Sequence, residues 1–199
     1  MIYPNQLTIA RIILTPVFFY LFLADDVLLK QISIVVFVLA ALTDWYDGWL
    51  ARKFNYITQW GKFLDPLADK ILTSAAFIAF SLIGMFPMWM VVIIIVRDFV
   101  ITGLRLYADY TDISFSTSKA AKIKTFVQMA FLYYTLTIYT FSLIDSLAEN
   151  YSGVFEILLH PEIIYYSMLG ITLFTLWTGI RYFTKNYHSL KNHFGINAK

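Results

Sequence analysis

The chain has 199 residues, 59% of them hydrophobic and 14% charged, with a formal net charge of +2 and no cysteine. Soluble domains carry charge on about a quarter of their residues, so this composition excludes an ordinary water-soluble domain. The missing cysteines exclude disulfides and thiolate metal sites, and no nucleic-acid partner is expected.

Six apolar runs follow one another: Leu7–Leu23, Gln31–Leu50, Phe63–Gly84, Met88–Ala108, Ala120–Leu143 and Ile163–Phe183. Each is about 20 residues, enough for a helix to cross a hydrocarbon core roughly 30 Å thick. Backbone groups in lipid must bond within their own segment, so each run reads as a helix. The expected fold class is an all-α integral membrane protein, one polytopic domain over residues 1–199 with six transmembrane helices. Residues 1–6, which include Pro4, read as an interfacial segment, and residues 185–199 as a polar, frayed tail. Gly84 to Pro87 reads as a tight turn, Asp109 to Ser118 as a polar connection and Asp145 to Pro161 as a longer one. The first run lacks a basic leader and a small-residue cleavage site, so it is expected to be a retained span.

Threading the six spans places every lysine and arginine except Lys30 on one side of the bilayer. Lysine and arginine bias sets orientation, so both termini are expected in the cytoplasm. Asp25, Asp26, Asp145, Glu149, Glu156 and Glu162 fall on the opposite side, and the remaining acids fall among the basic residues. A polar zone of both signs therefore closes one face of an apolar bundle. Anchoring by positive charge accounts for the lysines but not for four aspartates at the ends of the second and third spans.

Asp44 and Asp47 are three apart and Asp65 and Asp69 four apart, so each pair shares a helix face. One pair closes the second span and the other opens the third. A short connection makes these helices antiparallel neighbours, which brings the pairs to one depth. Four carboxylates near lipid need cationic compensation. Oxygen donors of this kind suit magnesium or manganese; the competing reading is a salt-bridge network with Arg52, Lys53, Lys62 and Lys70. Pro66 is expected in the first turn of the third helix, where its missing N–H is harmless. Trp45, Trp49, Trp60 and Tyr56 read as an interfacial aromatic belt, and His160, His188 and His193 as surface residues.

The pattern D-x2-D-G-x2-A-R-x8-G-x3-D-x3-D is met at every fixed position by Asp44, Asp47, Gly48, Ala51, Arg52, Gly61, Asp65 and Asp69. It resembles the CDP-alcohol phosphotransferase family. The opening Pro4-Asn5-Gln6-Leu7-Thr8-Ile9-Ala10-Arg11 is similar to the bacterial phosphatidylglycerophosphate synthase branch. So are Arg97-Asp98-Phe99, Thr102-Gly103-Leu104-Arg105 and Lys122-Ile123-Lys124-Thr125. Two departures stand out: Asp98 where glutamate is expected and Ala121 where glycine is expected.

The resemblance implies two divalent metal ions, magnesium with manganese as the alternative. One would be held by Asp44, Asp47 and Asp65, the other by Asp44, Asp65 and Asp69, with Asp69 also the general base. Asn5, Gly48, Arg52 and Thr58 would contact the CDP-lipid. It further implies a homodimer, CDP-diacylglycerol as donor and sn-glycerol 3-phosphate as acceptor, in a bacterial plasma membrane with the active site facing the cytoplasm. A phosphate dianion on the acceptor would need cations, for which Arg97, Arg105, Lys119, Lys122 and Lys124 are the candidates. Competing expectations are a cardiolipin synthase accepting phosphatidylglycerol, an enzyme accepting serine or inositol phosphate, an intramembrane prenyltransferase, and a divalent-cation transporter. A transporter would spread its acids through the membrane depth, whereas these cluster at one side.

Overall fold

The computed structural model describes the backbone of residues 4–54, 59–111 and 118–193, and the side chains within those ranges outside 4–7, 44–54, 59–60, 62 and 188–193. Among the described residues every element is an α-helix. In order these are α1 (Pro4–Leu23), α2 (Val27–Phe54), α3 (Gln59–Leu82), α4 (Met88–Tyr110), α5 (Lys119–Ser142), α6 (Asp145–Leu158) and α7 (Pro161–His193). Each of the six apolar runs falls in a helix, the third and fifth running one or two residues past its end, and most of these helices start before their apolar stretch.

Helix boundaries follow local chemistry. Asp26 caps α2, its Oδ1 accepting from the backbone N–H groups of Leu28 (2.7 Å) and Leu29 (3.3 Å). Ser118 caps α5 by accepting from the N–H of Ala121 at 3.2 Å. α3 ends in a Schellman motif: Gly84 N–H donates to the Ser81 carbonyl and Met85 N–H to the Phe80 carbonyl, both at 3.0 Å. Gly84 holds φ +84°, which an L-residue adopts only with strain. Pro87, extended at φ −63°, then starts α4 without a side-chain cap.

Three expectations are corrected. The connection Asp145 to Pro161 contains α6, broken at Tyr151 by non-helical backbone (φ −127°, ψ 25°). It is too short and too acidic to register as a span, and none of its residues is buried. The tail expected to fray continues α7 to His193. Pro66 lies inside α3 and not in its first turn, because α3 starts at Gln59. Its ring removes one backbone bond at the level of the acids.

Alternating helices bring the start of α1, the end of α2, the start of α3, the end of α4, the start of α5 and the end of α7 to one polar end. α1 packs on α2 and α3, α3 on α4, and α7 on α4 and α5. The aromatic core fills the opposite half. Phe22 meets Phe80 at 5.1 Å between ring centroids, Phe18 meets Phe37 at 5.0 Å, and Phe80 meets Phe86 at 5.0 Å. Rings at this spacing bind more tightly than their area alone provides, so the far half acts as a fixed base for the polar end.

The outward faces are apolar. Ile13, Val17, Val35, Leu39, Val92, Val96, Leu173 and Ile180 are all exposed, an arrangement soluble monomers avoid. Among the described residues one helix, Pro161–Tyr187, is long and apolar enough to cross a membrane on its own; Thr8–Leu23 and Val27–Thr43 are apolar but shorter.

Candidate active site

Asp65 and Asp69 stand one turn apart on α3. Thr8 of α1 donates its hydroxyl to Asp65 Oδ1 at 2.5 Å. This fixes the carboxylate and ties α1 to the acid-bearing turn. One turn further along α1, Arg11 is only 1% exposed, and its Nε donates to the carbonyl of Ala40 at 3.4 Å. Ala40 is one turn before Asp44 on α2, so a buried guanidinium approaches α2 just below the first acid pair. Asp44 and Asp47 occupy the last part of α2; their side chains, and those of Asn5, Gly48 and Arg52, lie outside the described residues, as does Thr58 altogether.

Asp69 is 38% exposed and its Oδ2 lies 3.7 Å from Lys70 Nζ. Lys70 turns toward α4, where the same ammonium lies 3.8 Å from Asp98 Oδ2. Asp98 is 4% exposed and gathers a set of donors. Lys124 Nζ donates to its Oδ1, Arg97 Nη1 donates to Oδ1 at 3.1 Å, and Gln128 Nε2 donates to Oδ2 at 3.2 Å. A buried carboxylate so surrounded is compensated in charge and in hydrogen bonds, the condition for keeping an ion inside a bundle. Lys70 thus links the acid-bearing turn of α3 to a buried ion-pair network between α4 and α5.

A cavity of about 290 Å³ opens at this junction, bounded by Asp69 and Lys70 of α3, Arg97, Arg105 and Asp109 of α4, and Thr125 of α5. Its walls carry charge of both signs. Arg97 Nε and Arg105 Nε are buried and have no hydrogen-bond partner among the described residues. Buried unsatisfied donors are rare enough to require a reason, and an anion entering the cavity would supply one. Arg105 also lies over the Tyr182 ring of α7, its Cζ 5.6 Å from the centroid, a cation–π contact that ties α4 to α7 at the cavity.

The five cations expected for the acceptor separate into groups. Arg97 and Arg105 line the cavity. Lys124 is 1% exposed and bonded to Asp98 behind the wall. Lys119 and Lys122 are exposed on the first turns of α5, outside the cavity lining. Lys70, read from sequence only as charge compensation, lies 3.7 Å from Asp69 and lines the cavity. Its position directly after Asp69 was the available signal.

The donors offered by Asp44, Asp47, Asp65 and Asp69 are all carboxylate oxygens, the set hard divalent cations take. Asp65 and Asp69 face the polar end from one side of α3, and the closing turns of α2 that carry Asp44 and Asp47 lead directly into α3. Among the described residues alone no group of three such side chains occurs, since half of the set lies on the last turns of α2. The chemistry of the donors fits a metal.

Comparison with known proteins gives the same reading. Residues 1–177 match the family described as CDP-alcohol phosphatidyltransferase. The chain is similar to the CDP-diacylglycerol–glycerol-3-phosphate 3-phosphatidyltransferase of Bacillus subtilis strain 168, at 36% identity covering 94% of this chain and 96% of the relative. It is similar to the enzyme of the same name from Rickettsia typhi at 36% identity, covering 90% of this chain and 94% of the relative. A third, from Mycoplasma genitalium, is 32% identical over 81% of this chain and 68% of the relative. A match to residues 1–177, together with relatives covered over nine tenths of their length, establishes that the protein belongs to the CDP-alcohol phosphatidyltransferase family.

Proposed function

We propose that this chain is a multi-pass membrane enzyme that transfers the phosphatidyl group of CDP-diacylglycerol to sn-glycerol 3-phosphate, releasing CMP and phosphatidylglycerophosphate. The observation that carries it is the cavity beside Asp69, with Lys70, Arg97 and Arg105 in its wall. Its volume of about 290 Å³ is at the low end for ligand sites, which run from roughly 300 to 1,000 Å³. That suits a small phosphorylated alcohol. The names of the similar proteins from Bacillus and Rickettsia specify the same acceptor.

The chemistry follows from position. The acceptor's phosphate is held by Arg97 and Arg105, which bring two guanidinium charges to the cavity wall. Its primary hydroxyl then lies toward Asp69, which takes the proton as the oxygen attacks the lipid-linked phosphorus. The bond to the bridging oxygen breaks and CMP leaves. General-base assistance contributes a factor of about 10² to 10⁴. The larger share comes from holding the reactants in line. A divalent pair held by Asp44, Asp47, Asp65 and Asp69, magnesium by preference, supplies neutralisation of charge on the pyrophosphate when bound. Thr8 and Lys70 keep the two α3 carboxylates from rotating away.

In this reading six helices, all but α6, span the bilayer. Both termini and the polar end face the cytoplasm of a bacterial cell, and the enzyme works as a homodimer, as the family resemblance implies. The outward apolar side chains would meet lipid tails.

The test is CMP release by purified protein from CDP-diacylglycerol with magnesium, with glycerol 3-phosphate, phosphatidylglycerol, serine and inositol phosphate offered separately. Glycerol 3-phosphate should be the productive acceptor. Turnover with another alcohol and none with glycerol 3-phosphate would reject the acceptor assignment.

A further inference from the structure

The site's acids and cations discussed so far lie on α1 to α5, and at the site α7 has entered only through a ring beneath Arg105. Yet α7 carries a polar stripe on its inner face: Thr172, Thr175 and Thr178, three residues apart, are all buried. The last of these touches the cavity's own arginine. Arg97 Nη2 donates to Thr178 Oγ1 at 3.0 Å, while Nη1 donates to Asp98 Oδ1 at 3.1 Å. Thr178 Oγ1 gives its own proton to the Thr175 carbonyl at 3.0 Å, which leaves its lone pairs for the guanidinium.

The next residue, Gly179, supplies the room. A methyl group on its Cα would lie 3.3 Å from Arg97 Cγ and 3.6 Å from Arg97 Nε. The arginine stem therefore rests on bare backbone of α7. Arg97 also forms part of an apolar groove of about 460 Å³ between α4 and α7, walled by Val96, Val100, Leu176 and Ile180. Without an anchor on α7, only the contact with Asp98 orients the guanidinium, and the stem is free to shift toward the groove.

The geometry points to Thr178 and Gly179 as positioning residues for the acceptor: they hold Arg97 across α7 so that its guanidinium faces the cavity beside Asp69. This rests on the phosphate-binding role given to Arg97 above. Neither residue touches the acceptor.

Thr178→Val keeps the shape and removes the acceptor oxygen; Thr178→Ser keeps the oxygen; Gly179→Val fills the space under the stem. Full-length protein in detergent is assayed for the KM of glycerol 3-phosphate, the KM of CDP-diacylglycerol and kcat, and for equilibrium binding of glycerol 3-phosphate. For Thr178→Val the KM and Kd of glycerol 3-phosphate should rise about tenfold, the loss of one charge-assisted hydrogen bond. kcat and the KM of the CDP-lipid should stay within about twofold, the signature of lost uniform binding. Gly179→Val should do the same or more, and Thr178→Ser should match the unaltered protein. Wild-type values in both valine variants would overturn the proposal, as would losses shared equally by both substrates. If the unaltered protein neither binds nor uses glycerol 3-phosphate, the acceptor reading falls and this proposal falls with it. If the unaltered protein does and the variants equal it, only this proposal falls.

Discussion

Two carboxylates on neighbouring helices sit in opposite environments. Asp69 is partly exposed, lines the cavity and has the Lys70 ammonium 3.7 Å away. Asp98 is buried under three cations and an amide. Asp69→Asn should abolish turnover while binding of CDP-diacylglycerol persists, measured as CMP release against lipid retention on the purified protein. Asp98→Asn should act on stability first, because it leaves Lys124 charged without its partner in the bundle. Breaking a buried pair on one side costs about 3–5 kcal/mol, visible as a lower melting temperature in detergent. Adding Lys124→Met should return much of that stability, since replacing both partners by neutral groups is close to neutral. Chelation of divalent cations should stop turnover and added magnesium should restore it, with melting temperature as the control for unfolding.

Sequence spacing identified the acid pairs because a helix puts residues three or four apart on one face, and no tertiary information is needed for that. It also pointed to Arg97 and Arg105, charges within an apolar run, and both line the cavity. It did not separate them from Lys124. That lysine lies 26 residues from Asp98 along the chain, and only packing of α5 beside α4 reveals that they pair. The contribution of Thr178 was hidden for the same reason, although threonine at every third position of an apolar helix was a readable sign.

The helices show what periodicity and length can and cannot convey. The six apolar runs reported helices correctly because a membrane-length stretch has one stable backbone solution. Their ends were set by different chemistry: a cap at Asp26, a cap at Ser118, a left-handed glycine at 84. α6 escaped notice because a helix of 14 residues with acids through it satisfies no span criterion. The glycine gives a direct check on the turn. No atom lies within 4 Å of where a Cβ would stand at Gly84, so Gly84→Ala tests backbone strain alone. The left-handed conformation costs an L-residue roughly 1–2 kcal/mol. A fall of a few degrees in melting temperature, with activity of the folded fraction unchanged, is the expected outcome.

At the scale of the molecule, the design separates a rigid aromatic half from a polar end where six helix termini converge. The aromatic half fixes helix spacing, and the polar end can then keep a cavity open without collapse. The orientation is open to direct measurement because the chain has no cysteine. Single cysteines at Lys30 and at Lys119 should label from opposite sides of sealed vesicles, with the Lys119 position reached from the cytoplasmic face. The account as a whole depends on aspartates of α2 and α3 sharing cations at this end. The direct test is Mn²⁺ binding to the purified protein, followed by electron paramagnetic resonance. Asparagine is substituted in turn for Asp44, Asp47, Asp65 and Asp69. Saturable binding in the unaltered protein, weakened by every one of the four substitutions, is the predicted result. Binding that ignores the α2 substitutions while responding to those in α3, or no specific binding at all, would contradict it.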